Sequence, residues 1–224
     1  QLTQEGSGRI AGLTVKDRYV EKGKAGDTVY LLVRYATADL ERERRRLEEV
    51  FREQQEAVAG PEREGGELER SGRLYEAALK YLEAAAAASK SDVDNAAIKF
   101  ERAMNEARAA IERIGLLKLN DNLRSAAGAA FAEPFRVKAV AGAGPSDPAV
   151  PGVALTVSWA DWRTGRRQAA LARTKTAADG VAAFVHPVPE FVGAETVTMG
   201  IDIAPYLEGF GRLTKAQQGM VDGL

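Results

Sequence analysis

The chain holds one histidine, His186, between Val185 and Pro187 at the end of a strand-like stretch. A nucleophilic triad needs that ring beside an activated serine and an orienting acid. No Gly-x-Ser-x-Gly serine is present, and one imidazole cannot build a multi-histidine metal centre. His186 therefore reads as a solvated or locally hydrogen-bonded loop residue. Cysteine is absent, which excludes disulfides, thiolate metal sites and a cysteine nucleophile. Glycoside chemistry asks for two carboxylates converging in a cleft. Here the acids mostly alternate with Arg and Lys along helical stretches, while Asp17, Asp27, Asp161, Asp179 and Asp202 fall in turns or strands. A hydrolase with converging acids ranks third among the functional readings, behind two interaction roles.

Other constellations resolve the same way. Asp92, Asp94 and Asn95 begin like a calcium loop but lack its glycine and distal glutamate, so a helix cap is the better account. Gly6, Ser7, Gly8 and Gly12 precede a strand, whereas a dinucleotide loop follows one and opens a helix. The basic run Arg42, Arg44, Arg45 and Arg46 is interleaved with Glu, as on a solvated helix face. Trp159 and Trp162 flank Asp161 near a hairpin tip; together with Tyr75 and Tyr81 they are the candidate interaction residues. For the two tryptophans packing is the preferred role, since sandwich cores usually take a large aromatic. No catalytic, cofactor or metal residue is expected.

The 31 basic and 32 acidic residues nearly cancel, against a nucleic-acid or anionic-membrane footprint. No apolar run approaches the roughly 18 residues a membrane span needs. The chain starts at Gln1 without Met or a signal-like segment, and reads as a trimmed piece of something longer, an export signal or lipid anchor lying upstream.

Residues 37–119 organise the chain as an alanine- and charge-rich helical block. Before it, residues 9–16 and 28–35 read as two strands joined by a longish loop at 17–27. Thr37 caps a first helix with Leu40, Leu47, Val50, Phe51, Gln54 and Val58 on one side. Gly60-Pro61 ends that helix and Gly65-Gly66 closes a loop. A second helix covers 67–89, with Leu68, Leu74, Tyr75, Ala78, Leu82, Ala85 and Ala86 inward and small residues at 84–88 permitting close packing. Ser91 and Asp94 form a capping-box pattern before a third helix, whose seam is Val93, Ala97, Phe100, Met104, Ala107, Ile111 and Ile114. The simplest assembly is an antiparallel helical hairpin with the first helix alongside. Residues 115–131 read as a connector.

From Pro134 the texture changes to short strands at 135–140, 153–159, 168–176, 181–185 and 195–203, punctuated by Gly and Pro. Val153, Leu155, Val157 and Trp159 share one face, and Asp179-Gly180 turns between strands. The expected fold class is α+β: an N-terminal β-hairpin, an antiparallel helical hairpin or bundle, then a small C-terminal immunoglobulin-like β-sandwich. The expected divisions are 1–58, 59–130, 131–208 and a tail at 209–224. Leu213, Gln217, Met220 and Leu224 give the tail helical spacing, so it either docks on the body or continues outward.

Three resemblances add to this. Gly72-Arg73-Leu74 with Ala77, Tyr81 and Ala84, and Val93 with Ala96, Phe100 and Ala103, are each similar to the second helix of a tetratricopeptide repeat. Their 19-residue offset departs from that repeat's roughly 34 residues. A peptide-binding adaptor with a groove lined by Leu74, Tyr75, Tyr81 and Phe100 is thus the runner-up. Residues 12–19 (GLTVKDRY) and 26–33 (GDTVYLLV) resemble the end of the bacterial Lpp-twenty lipoprotein module, the match covering residues 10–58 and lacking the module's opening helix and strand. Residues 151–157 (PGVALTV) with Thr174, Thr176, Gly180, Ala182 and Phe184 resemble bacterial immunoglobulin-like domains over residues 135–203. These two resemblances imply a Gram-negative envelope protein, periplasmic or outer-membrane-associated. It would be lipid-anchored, without enzymatic activity, meeting the membrane only through an anchor absent from this piece, and working through protein partners.

Overall fold

The structure is a computed structural model describing residues 14–23, 26–34, 36–91, 94–163, 166–190 and 192–224, with the side chains of 161–163 and 166–169 outside the description. The glycines at 6–12, Asp92, Val93 and the side chain of Trp162 thus lie outside the described residues. The chain forms two compact units, residues 1–53 and 54–224.

In the first unit β1 (Thr14–Gly23) pairs antiparallel with β2 (Gly26–Arg34). The strand occupies most of the stretch expected as a long loop. Tyr19, Val20 and Glu21 find cross-strand partners in Tyr30, Val29 and Thr28, and aromatic and β-branched pairs of this kind stabilise a ladder. Lys16 bulges out of register between Val15 and Asp17. The extra residue resets the alternation, so that Val15 pairs with Val33 and shares a face with Val20, Val29 and Leu31, while Tyr19, Tyr30 and Leu32 take the other. The helix α1 (Thr37–Arg70) then begins, Ala36 accepting from Asp39 and Leu40 N–H.

The expected break at Gly60-Pro61 does not occur: α1 runs 34 residues through Pro61. A proline inside a helix costs about 3 kcal/mol through one lost hydrogen bond and ring crowding. Tertiary contacts offset it on both sides. Val58 and Gly60 are buried, Glu62 takes a forked ion pair from Arg102 (2.6 Å), and Glu64 meets Lys80 (2.8 Å). Gly65 is a packing residue, not a loop residue: a Cβ there would lie 2.8 Å from the Tyr81 ring. The helix stops at Ser71-Gly72, which the sequence reading had placed inside its second helix. Gly72 takes φ +79°, Arg73 N–H donates to Leu68 and Gly72 N–H to Glu69, the paired bonds of a glycine C-terminal cap.

The helical hairpin is α2 (Leu74–Lys90) and α3 (Ala96–Glu112). Ala84, Ala85 and Ala88 on α2 and Ala103, Ala107 and Ala110 on α3 are all buried, so the small side chains let the helices approach closely while Phe100 and Met104 fill the seam. Ala97 of the expected seam is exposed. The capping box is not formed: Asn95 is the N-cap, in a left-handed conformation (φ 61°) with no side-chain cap bond, and Ser91 instead ends α2.

Part of the expected connector is a strand. β3 (Ile114–Lys118) pairs with β4 (Phe135–Ala141), which pairs with β7 (Val181–Phe184); β6 (Arg166–Lys175), β5 (Ala154–Arg163) and β8 (Thr198–Ile201) form a second three-stranded antiparallel sheet. Val153, Leu155 and Val157 are buried on one face as the alternation requires, as are Ala182 and Phe184. One hydrophobic cluster joins α2 and α3 to Ile114, Ala139, Val150, Val153, Leu155 and Ala182. Buried Thr176 ties the two sheets' connections together: its hydroxyl donates to Val150 C=O (3.0 Å) and accepts from Val153 N–H (2.8 Å). Thr176→Val keeps the shape but strands both groups, and an unmade buried bond costs about 1–3 kcal/mol. A loss of about 2 kcal/mol in urea unfolding is expected.

After β8 come the short α4 (Ala204–Leu207) and α5 (Lys215–Asp222). The tail docks on its own unit. Phe210 meets Phe100 edge-on at 5.8 Å, Gly211 N–H donates to Ser89, Arg108 donates to Met220 C=O, and Thr214 with Gln217 forms a capping box that starts α5.

Candidate interaction surface

Tyr75 and Tyr81 are not surface residues. Tyr75 is 4% exposed, and its hydroxyl donates to Asp202 C=O at 2.9 Å, joining α2 to the turn after β8. Tyr81 is 6% exposed and donates to Glu69, its ring seated on Gly65. With Leu74 and Phe100 also buried, the four side chains proposed to line a peptide groove fill the core instead. Their helical period was legible, and it places Leu74, Tyr75 and Phe100 on the covered sides of their helices, which leaves no groove for a peptide.

Burial pushes both phenols up to about 12, helped for Tyr75 by Tyr206 and Asp202 and for Tyr81 by the Glu69 carboxylate it bonds. The folded value is raised above the unfolded one, so this stability is complete below pH about 10 and is lost between about 10 and 12, where the unfolded chain ionises first. At pH 11 each tyrosine removes about 1.4 kcal/mol. Absorbance at 295 nm should show Tyr75 and Tyr81 titrating late and together with unfolding.

Trp159 is half-buried, and its ring lies 5.0 Å from that of Phe184 and 5.5 Å from that of His186. His186 is buried, not solvated. Phe131, Phe135, Trp159 and Phe184 surround its ring at centroid distances of 5.3–6.0 Å. The local hydrogen bond does form, Nδ1 lying 2.6 Å from Pro187 C=O, while Nε2 has no hydrogen-bond partner and faces Glu195 at 3.5 Å. A proline neighbour suggested a loop to the sequence reading; rings from a connector and three strands enclose it.

Two grooves open on the larger unit. One, of about 360 Å³, is lined by Ala59, Glu62, Arg63, Tyr81, Arg102 and Glu106. The other, of about 520 Å³, has Leu68, Leu79, Pro205 and Tyr206 as apolar lining with Glu76, Lys80 and Glu83. Glu62 is held by Arg102, Glu76 by Arg73 and Glu83 by Lys80. Glu64 and Glu83, both bonded to Lys80, raise that ammonium's pKa. Among the described residues no group of three His, Asp or Glu is placed to hold a metal, and no helix is long and apolar enough to cross a membrane.

Among the described residues, exposed apolar side chains gather in the first unit. Tyr19, Tyr30, Leu31 and Leu32 of the hairpin are 52–65% exposed, and Val15, Val20, Val29 and Val33 are 36–50% exposed. The apolar side of α1 is open over the same unit, with Leu40, Leu47, Val50 and Phe51 all exposed. Its charges instead satisfy one another along the helix, as in Arg46–Glu43 (2.7 Å) and Arg44–Glu48 (3.7 Å). The first bond holds the Glu43 carboxyl below its usual range. Apolar side chains this exposed, on both faces of the hairpin and along one side of α1, mark an interaction site. The periodicity that groups these residues leaves open what covers them.

Fold and surface together define an α+β protein carrying an uncovered hairpin and helix face. No protein-family model, curated protein or solved structure matches the chain.

Proposed function

We propose that this chain is a non-enzymatic cell-envelope lipoprotein of the Gram-negative periplasm or outer membrane, acting as a protein-interaction scaffold. The observation that carries the reading is the uncovered apolar surface of β1, β2 and the first half of α1. A two-stranded hairpin by itself is at most marginally stable in water, and a partner that covers it supplies the missing burial. The same residues carry the Lpp-twenty resemblance. The immunoglobulin-like reading of residues 135–203 draws support from two antiparallel sheets, the inward Val153, Leu155 and Val157, and Gly180 at φ +77° in the turn before β7.

The test is fractionation of source cells with a photo-crosslinking residue at Tyr30. The chain is expected in the envelope fraction, joined to a discrete protein. A cytoplasmic chain would overturn the envelope assignment, and an envelope chain without any adduct would overturn the scaffold role.

A further inference from the structure

The two strands of the hairpin defend their edges differently. β1 carries Lys16, Asp17, Arg18, Glu21 and Lys22, and charges of this kind discourage a further strand from pairing. β2 holds six consecutive residues, 28–33 (TVYLLV), with no charge, no Pro and no Gly. Such a segment on a free edge is a template for another strand. Among the described strands, β2 pairs only with β1.

We infer that a second copy of this chain covers this surface, its β2 pairing antiparallel with β2 across a two-fold axis. The result is a four-stranded sheet in the order β1-β2-β2-β1, flanked by the two α1 stripes. The inference rests on reading the first unit as an interaction surface, and it names the partner.

Three observations select a second copy. A two-fold contact uses the same patch twice and must be self-complementary; an uncharged strand edge satisfies that by pairing with itself. Residues 14–53 carry ten basic and nine acidic side chains, so two copies approach without net repulsion. The exposed apolar side chains lie on both faces of the hairpin, so joining two ladders edge to edge makes each apolar face continuous across the two-fold axis.

The test is sedimentation velocity of the whole chain from about 1 to 100 µM, the range in which a contact of moderate affinity changes occupancy. Twice the chain mass of 24.0 kDa is expected. Leu31→Glu and, separately, Leu47→Glu should each give a monomer. Unchanged hydrogen-exchange protection of α2 and α3 in both variants shows that the larger unit remains folded. Because the chain has no cysteine, single cysteines placed in turn at positions 29–33 report the strand pairing. Oxidation should link two copies through the position nearest the axis, and should leave Ala178→Cys, on an exposed turn, unlinked. A monomer at the highest concentration, or a dimer that survives both glutamate variants, overturns the inference. A monomer that still yields the Tyr30 adduct in cells removes the second copy while leaving the scaffold reading in place; loss of the adduct as well removes both.

Discussion

Phe100→Ala is expected to lower the stability of the larger unit by about 4 kcal/mol, within the usual range for a buried phenylalanine. Phe100 is fully buried on α3 among the alanines of both helices, where the small neighbours leave the ring as the bulk of the seam. Backbones already brought close by Ala84, Ala85, Ala103 and Ala107 have little room to collapse into the void, so the cavity persists. The ring also carries the tail: Phe210 packs on it edge-on at 5.8 Å, an arrangement worth about 0.5–1.5 kcal/mol beyond burial. Thermal unfolding should shift down by about 8–16 °C for a chain of this size. Hydrogen exchange should show α5 losing protection before α2 and α3. A drop below about 1 kcal/mol would mean that Phe100 is not the element filling the seam.

Gly180→Val should cost about 4 kcal/mol by two additive routes. The residue sits at φ +77°, where a β-branched side chain is a steric outlier; even a plain Cβ costs about 1–2 kcal/mol there. A Cβ would also lie 2.7 Å from the Ala139 carbonyl oxygen and 3.0 Å from the Ala149 Cβ. These are a backbone atom and a side chain with no rotamer to escape into, so overpacking adds about 1–3 kcal/mol. The Ala139 carbonyl cannot retreat freely, because it accepts from Val150 N–H, and Gly180 C=O accepts from Ala139 N–H. Gly180→Ala should lie between wild type and Val in urea unfolding. Equal midpoints for the two variants would place the whole effect in the Cβ, through its backbone conformation and its close contacts, and none in the γ-methyls of valine.

Where burial followed from alternation or punctuation next to the residue, the sequence was readable. Val153, Leu155 and Val157 face inward because successive strand residues alternate sides, and Asp179-Gly180 turns because glycine accepts positive φ at no steric cost. The helix seam around Phe100 and Met104 followed from its spacing for the same reason. Strong local signals misled where distant residues outweighed them. Pro61 sits in mid-helix because Arg102 and Lys80, about forty and twenty residues away, hold the turns after it. Gly65 looked like a loop residue and is the socket for Tyr81.

The candidate surface inverts the same lesson. Tyr75, placed inward by its spacing yet also offered for interaction, and Tyr81, offered for interaction alone, are both buried; each hydroxyl finds an acceptor inside the fold, which is what allows a tyrosine to be buried. Leu40 and Leu47 share one side of their helix as the spacing predicts, and with Leu31 and Leu32 of the hairpin they lie open. The sequence by itself determined that a hairpin, helices and then short strands follow one another, the inward face of β5 and β7, the turn at Gly180 and the absence of thiol chemistry. Tertiary structure alone decided the length of α1, the aromatic enclosure of His186 and which apolar stripes are covered. The division has one physical cause: periodicity states which residues share a face, but whether that face meets protein or water depends on the element placed opposite it.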